Sequence, residues 1–392
     1  MMSRIIILIF LFVFSNNVFC QKKNIQNASN SLKDGKLKSA KEYIDLAFNN
    51  SKTSDFHTMW WNRGKIYLEI ATNVKFNSLD NNAINISIES FKNYIENPKG
   101  WYKEEVDDEG NSAKSYLTNC VIFKYNNAAK KVEIEDYNAA IDIYSDLYAI
   151  VNYDFIQDAL LKMKITTLSL DNNIVFSYQK LADKYLKDED YNACIAVINK
   201  ARSKFPDNYN LLLDEVNYYL RKGDDNKVEE IINIMLTKDD QNKTLYNVLG
   251  GIYDKKGDFD KMLEYYTKAL QIDPYYGDVL YNLGVIFYNR SGEFRQQANK
   301  TDSRSKAKAL INDAKDSEVQ AISYFERFVG VDINKNIDNE TVLGVLKELY
   351  YKTEKKGYKD LNAVKEMLLN KLENNNNHDH DHDHDHNHDH NH

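Results

Sequence analysis

Tyr246-Asn247-Val248-Leu249-Gly250-Gly251-Ile252-Tyr253, Gly257-Asp258-Phe259-Asp260, Tyr265-Tyr266-Thr267-Lys268-Ala269-Leu270 and Asp273-Pro274 decide the architecture of this chain. An apolar stripe, a Gly-Asp break, a second apolar stripe and a closing proline read as helix, turn, helix and stop. Outward from this stretch the pattern recurs in one frame. A slim residue stands at Ala182, Val216, Gly250 and Gly284, at a constant spacing of 34 residues. An aromatic follows three positions later, at Tyr185, Tyr219, Tyr253 and Phe287. Cys194, Val228 and Met262 share a position on the second helix, and Pro206, Asp240 and Pro274 share the end of the unit. Packing explains the constraint. Two helices that cross closely admit only slim side chains at the crossing, and large apolar groups fill the space beside it.

In period and in residue type at these positions the segment resembles the tetratricopeptide repeat, a helix-turn-helix unit of about 34 residues. The resemblance covers most of residues 21–372 and is similar to that of exported bacterial proteins of this kind. It implies an all-α fold, an α-solenoid in which the units stack as a right-handed superhelix. It also puts Cys194 at a buried packing position, which argues against a disulfide between Cys120 and Cys194.

The repeat weakens away from this centre. Ala128, Tyr137, Ala140, Tyr144 and Leu147 fit a unit that starts near Val121. Ala28, Gly35, Ala40, Ile44 and Ala47 fit another. Trp60, Gly64 and Tyr67 open a third, whose second helix is expected in the 88–97 stretch after an Asn-rich insert at 77–85. The acidic run within 98–112 reads as a solvated loop. Between Phe155 and Leu170 there is helical periodicity but too few residues for a full unit, and Asp171-Asn172-Asn173 reads as a break before the next repeat. Residues 293–317 separate the two helices of the Gly284 unit, and they read as a long helical extension projecting from the array. Leu343 and Leu346 mark one final helix, and Leu361, Val364 and Leu368 mark another. The expected organisation is therefore: N-terminal units at 21–98, a linker and helix start at 99–120, a unit plus extra helix at 121–174, consecutive units at 175–292, the insertion at 293–317 and a capping region at 318–373.

The two ends differ from the body. Residues 1–20 combine Arg4, a short apolar run and a polar end, the composition of a secretory signal peptide with Gln21 as the mature N-terminus. Lipidation of Cys20 is the rival reading, disfavoured by the bulk of Phe19. The protein is therefore expected to be exported, periplasmic or secreted, with no membrane span left after cleavage. Residues 374–392 read as a disordered Asn/His/Asp tail. His378, His380, His382, His384, His386, His388, His390 and His392 alternate there with Asp or Asn, and they hold eight of the nine histidines of the chain. Imidazoles at this density bind zinc, nickel or copper, so a metal-buffer or delivery function based on the tail is the alternative to a plain scaffold.

With 51 basic against 59 acidic side chains and a net charge of −8, the chain lacks the basic footprint of a nucleic-acid binder. Only 14 glycines and 3 prolines in 392 residues argue against an all-β fold. No phosphate loop, zinc-protease helix or nucleophile elbow is present, and His57, outside the tail, has no visible catalytic partners. The expectation is a non-enzymatic protein that needs no cofactor and binds a protein or peptide. The repeat resemblance implies a groove lined by the first helix of each unit. Its positions here are Gln179, Asp183 and Lys187; Asn217 and Arg221; Asn247, Asp254 and Lys255; and Tyr281, Tyr288 and Asn289. Chaperone-type repeats clamp a C-terminal carboxylate with a Lys and an Asn in one unit. Asn217 matches that Asn, but Leu213 stands where the Lys should be, which argues against this clamp.

Overall fold

The computed structural model describes residues 22–96, 106, 107 and 110–380. The stretch 1–20 read as a signal peptide and residues 381–392 thus lie outside the described residues. Among the described residues the chain is all-α, with no β-strand beyond an isolated bridge between Val106 and Ser112. It divides into two compact units, Met1–Tyr218 and Tyr219–His392. Both are built from helical hairpins of the solenoid type.

The first unit opens with α1 (22–33) and α2 (Leu37–Phe48). Next come α3 (His57–Thr72) and α4 (Ala83–Ile95), separated by a 3₁₀ turn at Asn77–Leu79. α5 (Ala113–Glu133) pairs with α6 (Tyr137–Asp146), and two short helices follow, α7 (Tyr148–Val151) and α8 (Gln157–Lys162). α9 (Thr167–Lys187) pairs with α10 (Tyr191–Lys204). α11 (Tyr209–Lys222) carries the chain from this unit into the second. There α12 (Asp225–Leu236) precedes the hairpin of α13 (Lys243–Lys255) and α14 (Phe259–Ile272). α15 (Gly277–Lys300) and α16 (Arg304–Val331) form a long hairpin, followed by a short α17 (Ile333–Asn336). α18 (Glu340–Glu354) and α19 (Leu361–His380) are the final pair.

One turn chemistry recurs. A residue in the left-handed region is followed at once by an Asp that caps the next helix. Gly223-Asp224 and Gly257-Asp258 use glycine, at φ of +70° and +72°, where a side chain would be strained. Glu135-Asp136 and Glu189-Asp190 hold the same conformation with a glutamate at φ of +59°. Each Asp carboxylate accepts the backbone N–H three residues on, of Ala139, Ala193, Lys227 and Lys261, which satisfies one of the free donors at a helix start.

One packing contact recurs as well. A Cβ built on Gly64 would lie 2.8 Å from the Phe91 ring; on Gly250, 2.5 Å from Tyr266; on Gly284, 2.7 Å from Phe325. Each aromatic ring therefore lies flat against bare backbone of the partner helix, and all three rings are buried. At the N-terminus the slim residues do the same work: Ala28, Ala40 and Ala47 are fully buried with Ile44.

The structure departs from the sequence reading in several places. α5 begins at Ala113, capped by the Ser112 hydroxyl, so no boundary falls near Val121. α4 begins at Ala83, inside the stretch read as an insert. The Asp171-Asn172-Asn173 break lies within α9, which starts four residues earlier behind a capping box of Thr166 and Ser169; three polar residues in a row do not end a helix whose next turns bury Ile174, Val175 and Tyr178. The segment before α9 holds α7, α8 and a turn. Residues 293–317, read as a helical extension, lengthen both α15 and α16, with the turn at Thr301–Ser303. α19 is described as far as His380, and the rest of the tail lies outside the described residues.

Candidate functional site

The hairpins bury their apolar faces in clusters along each unit, which leaves the outward positions of the first helices as the polar surface of the repeat. On α9, Asp183 and Lys187 are exposed and Gln179 is half-buried. On α11, Asn217 and Arg221 are exposed. On α13, Asp254 and Lys255 are exposed; Lys255 lies 3.8 Å from Asp225, and half-buried Asn247 donates its amide to the Tyr276 hydroxyl at 3.3 Å. Asn289 on α15 is exposed.

The two tyrosines of this set are placed differently. Tyr281 packs on Phe325 and Phe328, with ring centroids 6.2 and 5.3 Å away. The Tyr288 hydroxyl donates to Glu348 on α18 at 3.0 Å. Both belong to the apolar cluster between α15, α16 and α18, so they are packing residues here. The final hairpin, which lies beyond the repeat register, covers that stretch of α15.

The structure adds a residue that the repeat positions do not select. Asp214 lies on α11 between Leu213 and Glu215, and its Oδ2 is buried without a hydrogen-bond partner among the described residues. Burial pushes its carboxyl up to about 6, the nearby Asp183 carboxylate adds to the rise, and the Gln179 amide acts against it. Gln179, Asp183 and Asp214 thus form one acidic spot between α9 and α11 of the first unit. Its sequence signal was weak: an acid beside the apolar run Leu211-Leu212-Leu213. The neighbouring Glu215 is neutralised by Arg202 at 3.4 Å; Asp214 is not.

Two of the hollows among the described residues lie in the first unit. The larger, about 690 Å³, is lined by Ile25, Ser51, Phe56, His57 and Asn62 beside Lys22, the first described residue. His57 opens α3, as a helix-terminus histidine, and its ring lies 6.3 Å from that of Tyr94. The second, about 390 Å³, includes Glu89, Lys92, Lys124 and Asp146. Lys124 is buried, and its ammonium donates to Asn85 at 2.7 Å and Asp146 at 3.0 Å. Asp107 lies in the stretch read as a solvated loop, and it has partners of its own. Burial works against ionisation of Asp107, but the Tyr116 hydroxyl, the Asn111 N–H and the Lys65 ammonium hold its carboxyl well below the usual range.

Cys120 and Cys194 are free and buried. Burial pushes their thiols up to about 12 and about 11, with the Ser87 hydroxyl acting against the rise at Cys120. No group of His, Cys, Asp and Glu among the described residues is arranged to hold a metal ion. His378 and His380 close α19, and the other tail histidines lie outside the described residues. No helix among the described residues is long and apolar enough to cross a membrane.

Residues 244–276 match the family model of the tetratricopeptide repeat. A curated relative is the photosystem I assembly protein Ycf3 of Acaryochloris marina (strain MBIC 11017). It is 38% identical over 63 residues, which are 16% of this chain and 37% of that protein, so the match spans little more than a third of that relative. Among solved structures, the MamA protein is 16% identical, with 51% of this chain and 88% of that one covered at a TM-score of 0.33. A TPR repeats protein from Bacteroides fragilis NCTC 9343 is 15% identical, with coverage of 76% and 99% and a TM-score of 0.27.

Proposed function

We propose, for a chain built on tetratricopeptide repeats, that it is an exported, non-catalytic scaffold that binds a protein or peptide along the first-helix face of its hairpins. The observation that carries the reading is Asp214. A carboxylate oxygen buried without a partner costs free energy, and a cationic side chain docked beside the half-buried Asp214 offsets its charge. With Asp183 beside it, the spot between α9 and α11 selects a segment that presents Lys or Arg. The exposed Lys187 and Asn217 flank it with polar contacts.

The test is an immobilised peptide array probed with the full chain and with the Asp183→Asn/Asp214→Asn variant. Wild type should select peptides with Lys or Arg, and the variant should lose that selection while keeping its helical content. Equal selection by both proteins, or a preference for acidic peptides, refutes the reading. Export has its own check: sequencing the mature N-terminus should give Gln21, and a lipidated Cys20 would replace a free protein by an anchored one.

The alternation of eight histidines with Asp and Asn supports a separate role for the tail in holding zinc, nickel or copper. Calorimetric titration of zinc into the full chain and into a variant with the eight histidines changed to alanine tests it. Equal heats from both would remove it.

A further inference from the structure

The α15–α16 hairpin ends in a basic tip. Lys300 closes α15, and Arg304, Lys306 and Lys308 form the first turn and a half of α16. All four are exposed, and none makes an ion pair among the described residues. Asp302, in the turn, is the one acid among residues 300–308. On a chain of net charge −8 this is an unusual place to leave four cations unmatched. Several other lysines of the second unit find carboxylates: Lys243 with Asp273, Lys256 with Glu229, Lys268 with Glu264 and Lys371 with Glu326.

The other end of the same unit supplies the opposite charge. Residues 379–392 contain Asp379, Asp381, Asp383, Asp385 and Asp389 and no Lys or Arg. With histidine neutral, the segment carries five negative charges.

The course of α19 brings this segment toward the hairpin. Val364 and Leu368 are buried against α16 and α18. Lys365 pairs with Asp338, in the link that follows α16, and Lys371 pairs at 2.7 Å with Glu326, inside α16. α19 is therefore heading back along α16 as it leaves the core. From Lys371 to His380 the helix rises about 14 Å, and from Glu326 to Lys308 is about 27 Å along α16. Even if α19 crossed α16 at a right angle, its end would stand about 30 Å from Lys308. Twelve further residues reach about 40 Å when extended. The tip is within range at any crossing angle up to that.

We propose that the aspartate-rich segment 379–392 docks on the basic tip of the α15–α16 hairpin, with its carboxylates matching Lys300, Arg304, Lys306 and Lys308. Charge complementarity, the length of the segment and the direction of α19 select this occupant over a separate acidic partner. Both arms belong to one chain, so the association carries the high effective concentration of a short tether. This inference does not depend on the peptide-binding reading of the first unit.

Zero-length carbodiimide coupling of carboxylates to lysines in the full chain, with peptide mapping of the monomer band, tests it. Amide links from Asp381, Asp383, Asp385 or Asp389 to Lys300, Lys306 or Lys308 are expected. Their yield should fall several-fold in 1 M salt, where charges are screened beyond ~3 Å. In an Arg304→Gln/Lys306→Gln variant, links to Lys300 and Lys308 should fall as well. These surface changes leave the buried Arg295–Glu318 pair of the hairpin untouched. The proposal is overturned if the tail links to the tip no more often than to Lys352, Lys365 or Lys371, if the links occur only in a dimer band, or if salt and the variant leave the yield unchanged.

Discussion

Replacing Gly250 and Gly251 by alanine, one at a time, separates helix propensity from packing at adjacent positions. Both lie inside α13. Away from packing, glycine to alanine in a helix interior gains roughly 0.8–1 kcal/mol. At Gly251 the nearest atom to an added Cβ is the Tyr266 hydroxyl at 3.8 Å, which is ordinary contact. Gly251→Ala should therefore stabilise by about 0.5–1 kcal/mol. At Gly250 the added Cβ would meet two ring carbons of Tyr266 at 2.5 Å. The ring would have to retreat about 1 Å to reach normal separation, and Tyr266 is buried between α13 and α14. Overpacking of this kind costs about 1–3 kcal/mol, so after the propensity gain the net loss is about 0–2 kcal/mol. Urea unfolding followed by helical signal, together with amide exchange across α13 and α14, measures both variants. Shortening the ring supplies a cycle: in a Tyr266→Leu background, Gly250→Ala should lose most of its penalty. If Gly250→Ala proves as stabilising as Gly251→Ala, or if the penalty persists without the ring, the crossing contact is not what holds this position.

Four further outcomes follow from the same structure. Glu189 holds a left-handed turn that glycine holds elsewhere, so Glu189→Gly should stabilise by about 1 kcal/mol; a loss in urea unfolding would contradict the strain. In the long hairpin, Arg295 donates twice to Glu318, which is fully buried. Arg295→Met strands that carboxylate and should cost about 3–5 kcal/mol. Glu318→Gln should cost less, because Arg295 reaches solvent, and Arg295→Met/Glu318→Leu should recover much of the loss, as read by amide exchange in α15 and α16. Asp214 titrates at about 6 in the folded chain, against about 3.9 when unfolded. The folded state thus binds the extra proton between these values, and stability falls as pH rises from about 4 to about 6. Asp214→Asn should be more stable than wild type at pH 7, with the gain vanishing near pH 4; an equal gain at both values would refute the assignment. Finally, burial and raised thiols make Cys120 and Cys194 unreactive in the native chain, so alkylation near pH 8 should proceed only after unfolding, and native-state labelling of either would contradict their placement.

Periodic packing is written in the sequence because each repeat must solve the same steric problem. Gly250, Tyr266 and Cys194 could be assigned from spacing, and the structure buries all three. The turn of the Gly250 unit was legible for the same reason, through Gly257-Asp258. Where the fold departs from the repeat, the signal fails for a physical cause. Asp171-Asn172-Asn173 looks like a break because these residues favour turns, yet the tertiary burial of Ile174, Val175 and Tyr178 carries α9 through them. Tyr288 looks like a surface residue because the repeat exposes that position; α18, which the repeat does not contain, supplies Glu348 to it. Asp214 could not be read from the pattern at all. Its importance lies in an unsatisfied oxygen, and satisfaction depends on neighbours from another helix.

The three glycine crossings also say what the repeat conserves physically. From glycine to facing aromatic the chain advances 16 residues for Gly250 and Tyr266, 27 for Gly64 and Phe91, and 41 for Gly284 and Phe325. The contact is the same in each case, with a built Cβ between 2.5 and 2.8 Å from the ring. The close approach of two backbones is therefore the fixed element, and the length of the hairpin beyond it is free. Extra residues on the turn side do not disturb the crossing, since a loop or a longer hairpin adds only a slowly growing closure cost. The extension of α15 and α16 meets that cost with its own interior: Ala298, Leu310 and Ala314 are buried, and the Arg295–Glu318 pair locks the two helices part way along. An insertion that carries its own packing can grow without altering the outward positions of the first helices, so one chain can present a repeat face and, independently of it, a basic hairpin tip.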